Sequence, residues 1–92
     1  MGQTEEDVAF VAVGPNRQKV LFRLTESPAI PAQIREDTGL EYSRISESVN
    51  ALRGRDLIRL LVPEETARGR LYEITERGED TIAYMQENGM LE

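Results

Sequence analysis

The sequence predicts a mostly helical α+β fold with the layout of a winged helix-turn-helix. Two features of the chain predict it. Residues 30–54 have the pattern of a short helix, a tight turn at Gly39 and Leu40, and a second helix. Two strand-like runs follow, at residues 57–62 and 71–75. Together with the helical patterns before and after them, these elements give three core helices, a two-stranded β-hairpin wing, and one additional helix at each end.

The length of the chain, 92 residues, suits a single small domain that spans residues 1–92. We expect its core at about residues 16–78, with terminal helices at about 5–13 and 76–88. The longest apolar run, residues 8–13, is far shorter than the ~20 residues that cross a bilayer. The sequence therefore predicts a cytoplasmic protein without a membrane anchor.

Cysteine and histidine are both absent, which excludes disulfides, thiolate and imidazole metal sites, and catalytic pairs of a nucleophile with histidine. Many carboxylates occur as adjacent pairs, such as Glu36-Asp37 and Glu79-Asp80. Adjacent side chains on a helix diverge by roughly 100°, so such pairs do not easily converge on one substrate. We therefore expect a protein that is not an enzyme and that holds no cofactor and no metal.

The N-terminal segment has two interpretations. Thr4 is a candidate helix N-cap, acidic residues follow it, and Gly14 is a candidate stop, which favours a helix at residues 5–13. The β-branched and aromatic side chains of residues 8–13 instead have high β-propensity and favour a strand. We expect the helix.

Two further helices precede the turn. Asn16 is the candidate N-cap of the first, which ends before Pro28. Pro31 fits the first turn of the second, and Gly39 is the expected left-handed residue that closes it.

The helix predicted at residues 42–53 has a buried stripe of Ile45, Val49 and Leu52. Its opposite face carries mostly small polar side chains: Ser43, Ser46, Glu47 and Asn50. Three larger side chains flank that face: Tyr42, Arg44 and Arg53. Small polar side chains suit a helix in the major groove of DNA, where hydroxyl and amide groups reach base edges. The alternative is an ordinary amphipathic helix with a solvated face.

The connection between the two predicted strands, residues 63–70, is longer than the usual hairpin loop of about two to five residues. Within it, Arg68 and Arg70 bracket Gly69. Two guanidinium groups beside a flexible point can approach a phosphate backbone or enter a minor groove. A solvated hairpin tip is the alternative.

The pattern at residues 76–88 predicts a C-terminal helix that stops at Gly89. The apolar side chains near the two ends of the chain can form a dimer interface, or they can pack on the core of their own chain. We expect the dimer, with these candidate interface residues: Val8, Phe10, Val11, Ile82, Met85, Met90 and Leu91.

The net charge of -6 is the main argument against a nucleic-acid partner. The acidic excess lies near the two ends, whereas residues 35–70 contain seven arginines and are neutral overall. Such a balance resembles that of proteins from organisms with high internal salt, although GC-rich coding alone also favours arginine. A Debye length of ~3 Å at 1 M salt would screen the repulsion from DNA.

Several segments together resemble one group of proteins. They are Thr38-Gly39-Leu40, Ser43-Arg44-Ile45-Ser46 and, above all, Arg68-Gly69-Arg70-Leu71-Tyr72-Glu73-Ile74-Thr75-Glu76-Arg77-Gly78. Over about residues 16–78 the chain resembles the small winged helix-turn-helix transcriptional regulators of the MarR, ArsR and PadR-like superfamily, with the short archaeal members closest. The resemblance implies a recognition helix at residues 42–53 and wing contacts at Arg68 and Arg70. It also implies a homodimer that reads half-sites about one DNA turn apart.

The chain departs from this group at three points. The metal-sensing branch uses cysteine and histidine ligands, which this sequence lacks. The MarR branch carries an aspartate in its wing where this chain has Thr66. Glu47 stands where many relatives have a basic or amide residue, and its carboxylate repels phosphate unless it accepts a hydrogen bond from a cytosine amino group.

The expected function is a sequence-specific transcriptional regulator that binds double-stranded DNA as a homodimer. The helix at residues 42–53 would contact bases, and four side chains would contact phosphates: Arg17, Lys19, Arg68 and Arg70. The alternative is a winged-helix protein–protein interaction module, an adaptor in a transcription or replication assembly without specific DNA readout. Net acidity favours the adaptor, whereas the arginine pair of the wing favours the regulator.

Overall fold

A computed structural model of the chain describes residues 2–61 and 70–91. In chain order the elements are α1 (Gly2–Ala12), α2 (Pro15–Leu24), α3 (Pro31–Thr38), α4 (Tyr42–Gly54), β1 (Ile58–Leu60), β2 (Tyr72–Ile74) and α5 (Glu76–Glu87). Helix α2 packs on α4, α3 packs on both, and α1 packs on α5. The predicted α+β fold, with a helix-turn-helix, a β-hairpin and two terminal helices, is confirmed.

The N-terminal segment is a helix and not a strand, and it begins at Gly2, two residues before the expected cap Thr4. Val8 and Val11 both lie in the core. They are three residues apart, a spacing that places two side chains on the same face of a helix but on opposite faces of a strand. The expected cap of α2 is also wrong. Gly14 occupies that position, and Pro15 begins the helix, where the fixed φ of proline suits the first turn and its missing N–H leaves no bond unmade.

The helix-turn-helix is held by local hydrogen bonds. The side-chain oxygen of Gln33 accepts a hydrogen bond from the N–H of Ile30 at 3.1 Å, just before α3 begins. Gly39 ends α3 with a φ of 78°, and its N–H donates to the carbonyl oxygen of Arg35 at 2.8 Å. This left-handed conformation strains any residue with a Cβ atom, so the predicted role of Gly39 is confirmed.

The two strands are antiparallel and shorter than predicted, with Ile58 opposite Ile74 and Leu60 opposite Tyr72. Ala29 adds an isolated bridge that the sequence did not predict. The N–H of Ala29 donates to the carbonyl oxygen of Tyr72 at 3.0 Å, and the N–H of Tyr72 donates to the carbonyl oxygen of Ala29 at 2.9 Å. These two bonds join the segment before α3 to the sheet. The connection at residues 62–69, with the predicted wing contacts Arg68 and Gly69, lies outside the described residues.

Helix α5 begins with a side-chain cap. The hydroxyl oxygen of Thr75 accepts a hydrogen bond from the N–H of Gly78 at 3.1 Å and donates one to the carbonyl oxygen of Asp56 at 2.6 Å. The helix is followed by Asn88 and by Gly89, whose φ is 66°, close to the predicted end. None of the helices in the described ranges is long and apolar enough to cross a membrane.

Candidate nucleic-acid interface

The candidate interface centres on α4, whose orientation is fixed by its buried side. Ile45, Val49 and Leu52 are buried in the core, as the sequence predicted, and Ser48 is buried beside them. The opposite face is exposed along its whole length: Ser43, Ser46, Glu47 and Asn50. A row of hydroxyl, amide and carboxylate groups therefore faces outward from a firmly anchored helix.

Cationic side chains flank this face on both sides. Arg44 is exposed and makes no hydrogen bond or ion pair within the described part of the chain. Tyr42, at the start of α4, is 51% exposed, and the guanidinium of Arg35 lies 5.0 Å from the centre of its ring. Such a separation is within the range of a cation–π contact. Both side chains line an open hollow of about 400 Å³ at the turn between α3 and α4.

Sequence reasoning missed Arg35, because it considered α3 only for its buried Ile34 and its closing Gly39. A signal was present, since Arg35 lies one turn before Gly39 and directly follows a buried position. The predicted flanking residue Arg53 is half-buried in the last turn of α4.

The two predicted phosphate contacts on α2 lie in different surroundings. Arg17 makes two contacts with Phe10 of α1. Its Nη1 donates to the carbonyl oxygen of Phe10 at 2.7 Å, and its guanidinium lies 4.0 Å from the centre of the Phe10 ring. Lys19 is exposed and lies beside Phe22. Arg17 would have to give up both contacts in order to reach DNA.

Glu47 lies close to the N-terminal end of α2. It lines a hollow of about 200 Å³ together with Gly14, Pro15, Asn16 and Arg17, as well as Ser48 and Ala51 of its own helix. Free N–H groups give a helix N-terminus a partial positive charge, which attracts anions. The carboxylate of Glu47 therefore stands near a position that also favours a phosphate.

Of the predicted wing residues, only Arg70 is described. It is half-buried, and its Nε is shielded from solvent without a hydrogen-bond partner among the described residues.

A second cluster of charges lies behind α4. Asp7 of α1 is only 1% exposed, and both of its carboxylate oxygens accept hydrogen bonds from arginine. Oδ1 accepts from Nε of Arg55 at 3.0 Å and from Nη2 of Arg77 at 3.0 Å, and Oδ2 accepts from Nε of Arg77 at 2.6 Å. We call these three residues the Asp7 junction.

Hydrogen bonds from Arg77, and secondarily from Arg55, hold the pKa of the Asp7 carboxyl below its ordinary value, although burial acts in the opposite direction. The same bond to Asp7 raises the pKa of Arg77. Asp7 and Arg77 therefore both remain charged at neutral pH. Sequence reasoning missed this cluster because its members are 48 and 70 residues apart.

The predicted dimer residues separate into two groups. Four of them belong to the core of their own chain, chiefly where α1 packs on α5: Val8, Val11, Ile82 and Met85. Buried side chains offer no surface to a partner, so the expectation that these four form an interface is not retained. The other three retain some exposure: Phe10, Met90 and Leu91. Phe10, however, is already in contact with the guanidinium groups of Arg17 and Arg55.

The arrangement of these elements defines a winged-helix protein. The chain is similar to the crystal structure of an ArsR family transcriptional regulator, with a TM-score of 0.64 and 19% identity over 97% of this chain and 90% of that chain. It is also similar to a mutant of Lactococcus lactis ZitR, with a TM-score of 0.58 and 18% identity over 82% of this chain. This chain spans 59% of the length of ZitR. No protein-family profile and no curated protein matches the chain. At these identities the likeness shows the fold.

Proposed function

We propose that the chain is a transcriptional regulator that binds double-stranded DNA, with α4 in the major groove. The observation that carries this proposal is the exposed row of small polar side chains on a helix whose other side is buried. Ser43, Ser46 and Asn50 are short enough to let the helix backbone approach base edges. A buried stripe of three aliphatic residues keeps that row in a fixed orientation.

The phosphate contacts in this proposal differ in part from those that the sequence predicts. Arg44 and Arg35 lie on opposite sides of the α4 face, and neither forms an ion pair within the described residues. Arg17 is not among the proposed phosphate contacts, because its guanidinium already donates a hydrogen bond to the carbonyl oxygen of Phe10. Arg68 and Arg70 remain the proposed wing contacts.

We also propose a homodimer that pairs the outer faces of α1 and α5. Val13 follows α1 and is 76% exposed, and Met90 follows α5 and is 39% exposed. Ala9 and Ala83 are exposed on the two helices themselves. Analytical ultracentrifugation of the wild type and of Ala83→Glu tests this part: the wild type should sediment as a dimer and the variant as a monomer.

The adaptor function remains the second candidate, because one observation favours it. Phe22 on α2 is 42% exposed and lines a hollow of about 230 Å³ with Gln18, Lys19 and Leu91. Exposed aromatic side chains are common in protein interfaces. The net charge of -6 also favours a partner other than DNA.

Selection of bound sites from random duplex DNA, at moderate and at molar salt, distinguishes the two functions. A regulator should enrich a defined site in at least one of these conditions. Failure to enrich any sequence at either salt concentration would exclude the regulator and leave the adaptor.

Variants then separate phosphate contacts from base contacts. Arg35→Ala and Arg44→Ala should each lower affinity on all sequences and reduce the slope of log K against log salt by about 0.9, the value for one lost phosphate contact. Arg59→Ala removes the same charge from a side chain that is already paired with Glu73 at 2.7 Å, and serves as the control. Asn50→Ala should instead relax specificity at one base pair, by about 1 to 3 kcal/mol.

A further inference from the structure

We propose that Asp7 is a positioning residue that ties the last turn of α4 to the terminal helices α1 and α5. Through this link, the position of the terminal helices would set the direction of the helix that reads DNA. The part of the inference that concerns DNA rests on the proposed function. The mechanical link itself does not depend on it.

The geometry of the carboxylate supports a directional link. Asp7 receives three hydrogen bonds from two arginines, and Arg77 binds both of its oxygens. A two-pronged contact between arginine and carboxylate fixes the relative orientation of the groups as well as their distance. Asp7 lies on α1, Arg77 lies in the first turn of α5, and Arg55 directly follows α4. One buried carboxylate therefore joins three helices.

Backbone hydrogen bonds hold the turn around Arg55 in place at the end of α4. The N–H groups of Arg55 and Leu57 both donate to the carbonyl oxygen of Leu52, at 3.2 and 3.0 Å. Between them, Asp56 has a φ of 62°, a conformation that few residues other than glycine adopt. The hydroxyl of Thr75 then donates to the carbonyl oxygen of Asp56 at 2.6 Å. The turn after α4 is thus attached to the start of α5 at a second point.

The cation–π contacts of Phe10 extend the link along α1. The guanidinium of Arg55 lies 5.0 Å from the centre of the Phe10 ring, and that of Arg17 lies 4.0 Å from it. A displacement of α1 would therefore pull on Arg55 through both Asp7 and Phe10.

Stability alone does not account for this choice of residues. Charged groups lose hydration when they are buried, and well-packed apolar side chains of similar volume often hold elements together at least as strongly. What the charged cluster adds is direction, since each hydrogen bond requires an aligned donor and acceptor. Direction is what a helix needs if it must enter a groove at a fixed angle.

Amide hydrogen exchange without DNA tests the mechanical link. In Asp7→Asn, the amides of residues 52–57 should exchange faster than in the wild type by on the order of tenfold, the effect of losing one charge-assisted hydrogen bond. Amides of α2 serve as the internal reference: they report any loss of global stability, and the tenfold acceleration is counted beyond theirs. Glu6→Gln is the matched control, because Glu6 is exposed and reaches Arg55 only at 4.0 Å. Faster exchange confined to α1 would overturn the link.

A DNA experiment tests the consequence for binding. The targets are duplexes with two half-sites at different spacings and duplexes with one half-site. The wild type should prefer one spacing, and Asp7→Asn should lose that preference while its affinity for a single half-site changes less than about twofold. An unchanged spacing preference would overturn the role in DNA binding. If the wild type binds no duplex at all, the proposed function fails, and the exchange experiment still decides the link.

Arg55→Gln is the second variant, for use if Asp7→Asn does not fold. It leaves the bonds between Asp7 and Arg77 in place and removes only the branch to α4. The amides of residues 52–57 should again exchange faster, while those around Asp7 should not change. Wild-type exchange at residues 52–57 would contradict the proposal.

Discussion

The exposed face of α4 and the Asp7 junction contain the same kind of residue in opposite situations. At the junction and beside it, each arginine has a partner within the chain: Arg17, Arg55 and Arg77. Beside the α4 face, by contrast, two arginines form no ion pair within the described residues: Arg35 and Arg44. The sequence does not distinguish these two sets. The internal partners decide which arginines hold the fold together and which are available to a phosphate.

The largest effect is expected beside the Asp7 junction, from Gly78→Ala. A Cβ atom at Gly78 would overlap the carbonyl oxygen of Leu57 and would lie 2.7 Å from Cγ1 of Ile74. The first of these is a backbone atom that cannot move freely, so we expect the free energy of unfolding to fall by about 3 kcal/mol, the upper end for an overpacked site. Urea titration measures this change.

Gly54→Ala is the matched control for Gly78→Ala, because Gly54 ends α4 and a Cβ atom there meets nothing within 4 Å. Alanine should stabilise that position by about 0.5 kcal/mol, since it restricts the unfolded chain. Equal losses of stability in both variants would show that the close contact of Gly78 with Leu57 and Ile74 is not the reason for a glycine there.

A smaller loss is expected from Asp7→Asn, about 2 kcal/mol at pH 7, since strong hydrogen bonds to a charged acceptor are replaced by weaker ones. The pKa of Asp7 is lower in the folded protein than in the unfolded chain. Its contribution is therefore fully present above the ordinary carboxyl pKa of about 4, and it is lost as the pH falls through the folded-state pKa. The difference between wild type and variant should shrink below pH ~4. A difference that stays constant down to pH 2 would mean that packing, and not charge, is responsible.

The Asp7 junction and the residues around it also explain the part of the sequence that most resembles winged-helix regulators. Thr75 caps α5, Arg77 binds Asp7, and Gly78 lies against the carbonyl oxygen of Leu57. Each of these three residues has a role inside the chain. The motif therefore indicates the fold strongly and says little about which DNA the protein would bind.

The fold and the α4 face could be predicted because both depend on local periodicity. The spacing of Ile45, Val49 and Leu52 fixes the buried side of the helix, and the exposed side follows from it. Long-range pairs leave no such trace. Neither the burial of Asp7 nor the engagement of Arg17 follows from residue spacing, because their partners lie on other helices.

The candidate dimer residues show that the packing partners of apolar side chains are equally hard to predict from residue spacing. A helical pattern shows which side chains share a face, but it does not show what covers that face. Ile82 and Met85 share one face of α5, and α1 of the same chain lies against this helix. A short terminal helix can be covered by its own chain or by a partner, and only the packing distinguishes the two.

The smallest effect is expected on the exposed face of α4, from Glu47→Gln. Glu47 is the one acidic residue within the polar row, and it lies near the N-terminal end of α2. Glu47→Gln removes a charge that repels phosphate while keeping a similar shape, so affinity for duplex DNA should rise about threefold at low salt. The gain should disappear near 1 M salt, where the Debye length is about 3 Å.

Glu79→Gln is the control for Glu47→Gln, because it makes the same change in net charge on the exposed surface of α5. Fluorescence anisotropy with a labelled duplex compares the two variants. Equal gains would mean that Glu47 acts only through the net charge of -6. A loss of affinity in Glu47→Gln, restricted to sites with a cytosine at one position, would instead show that the carboxylate accepts a hydrogen bond from that base. Glu47 would then contribute to specificity. Its carboxylate repels the DNA phosphates at every site, and only a site with a cytosine amino group opposite it offsets this repulsion with a hydrogen bond.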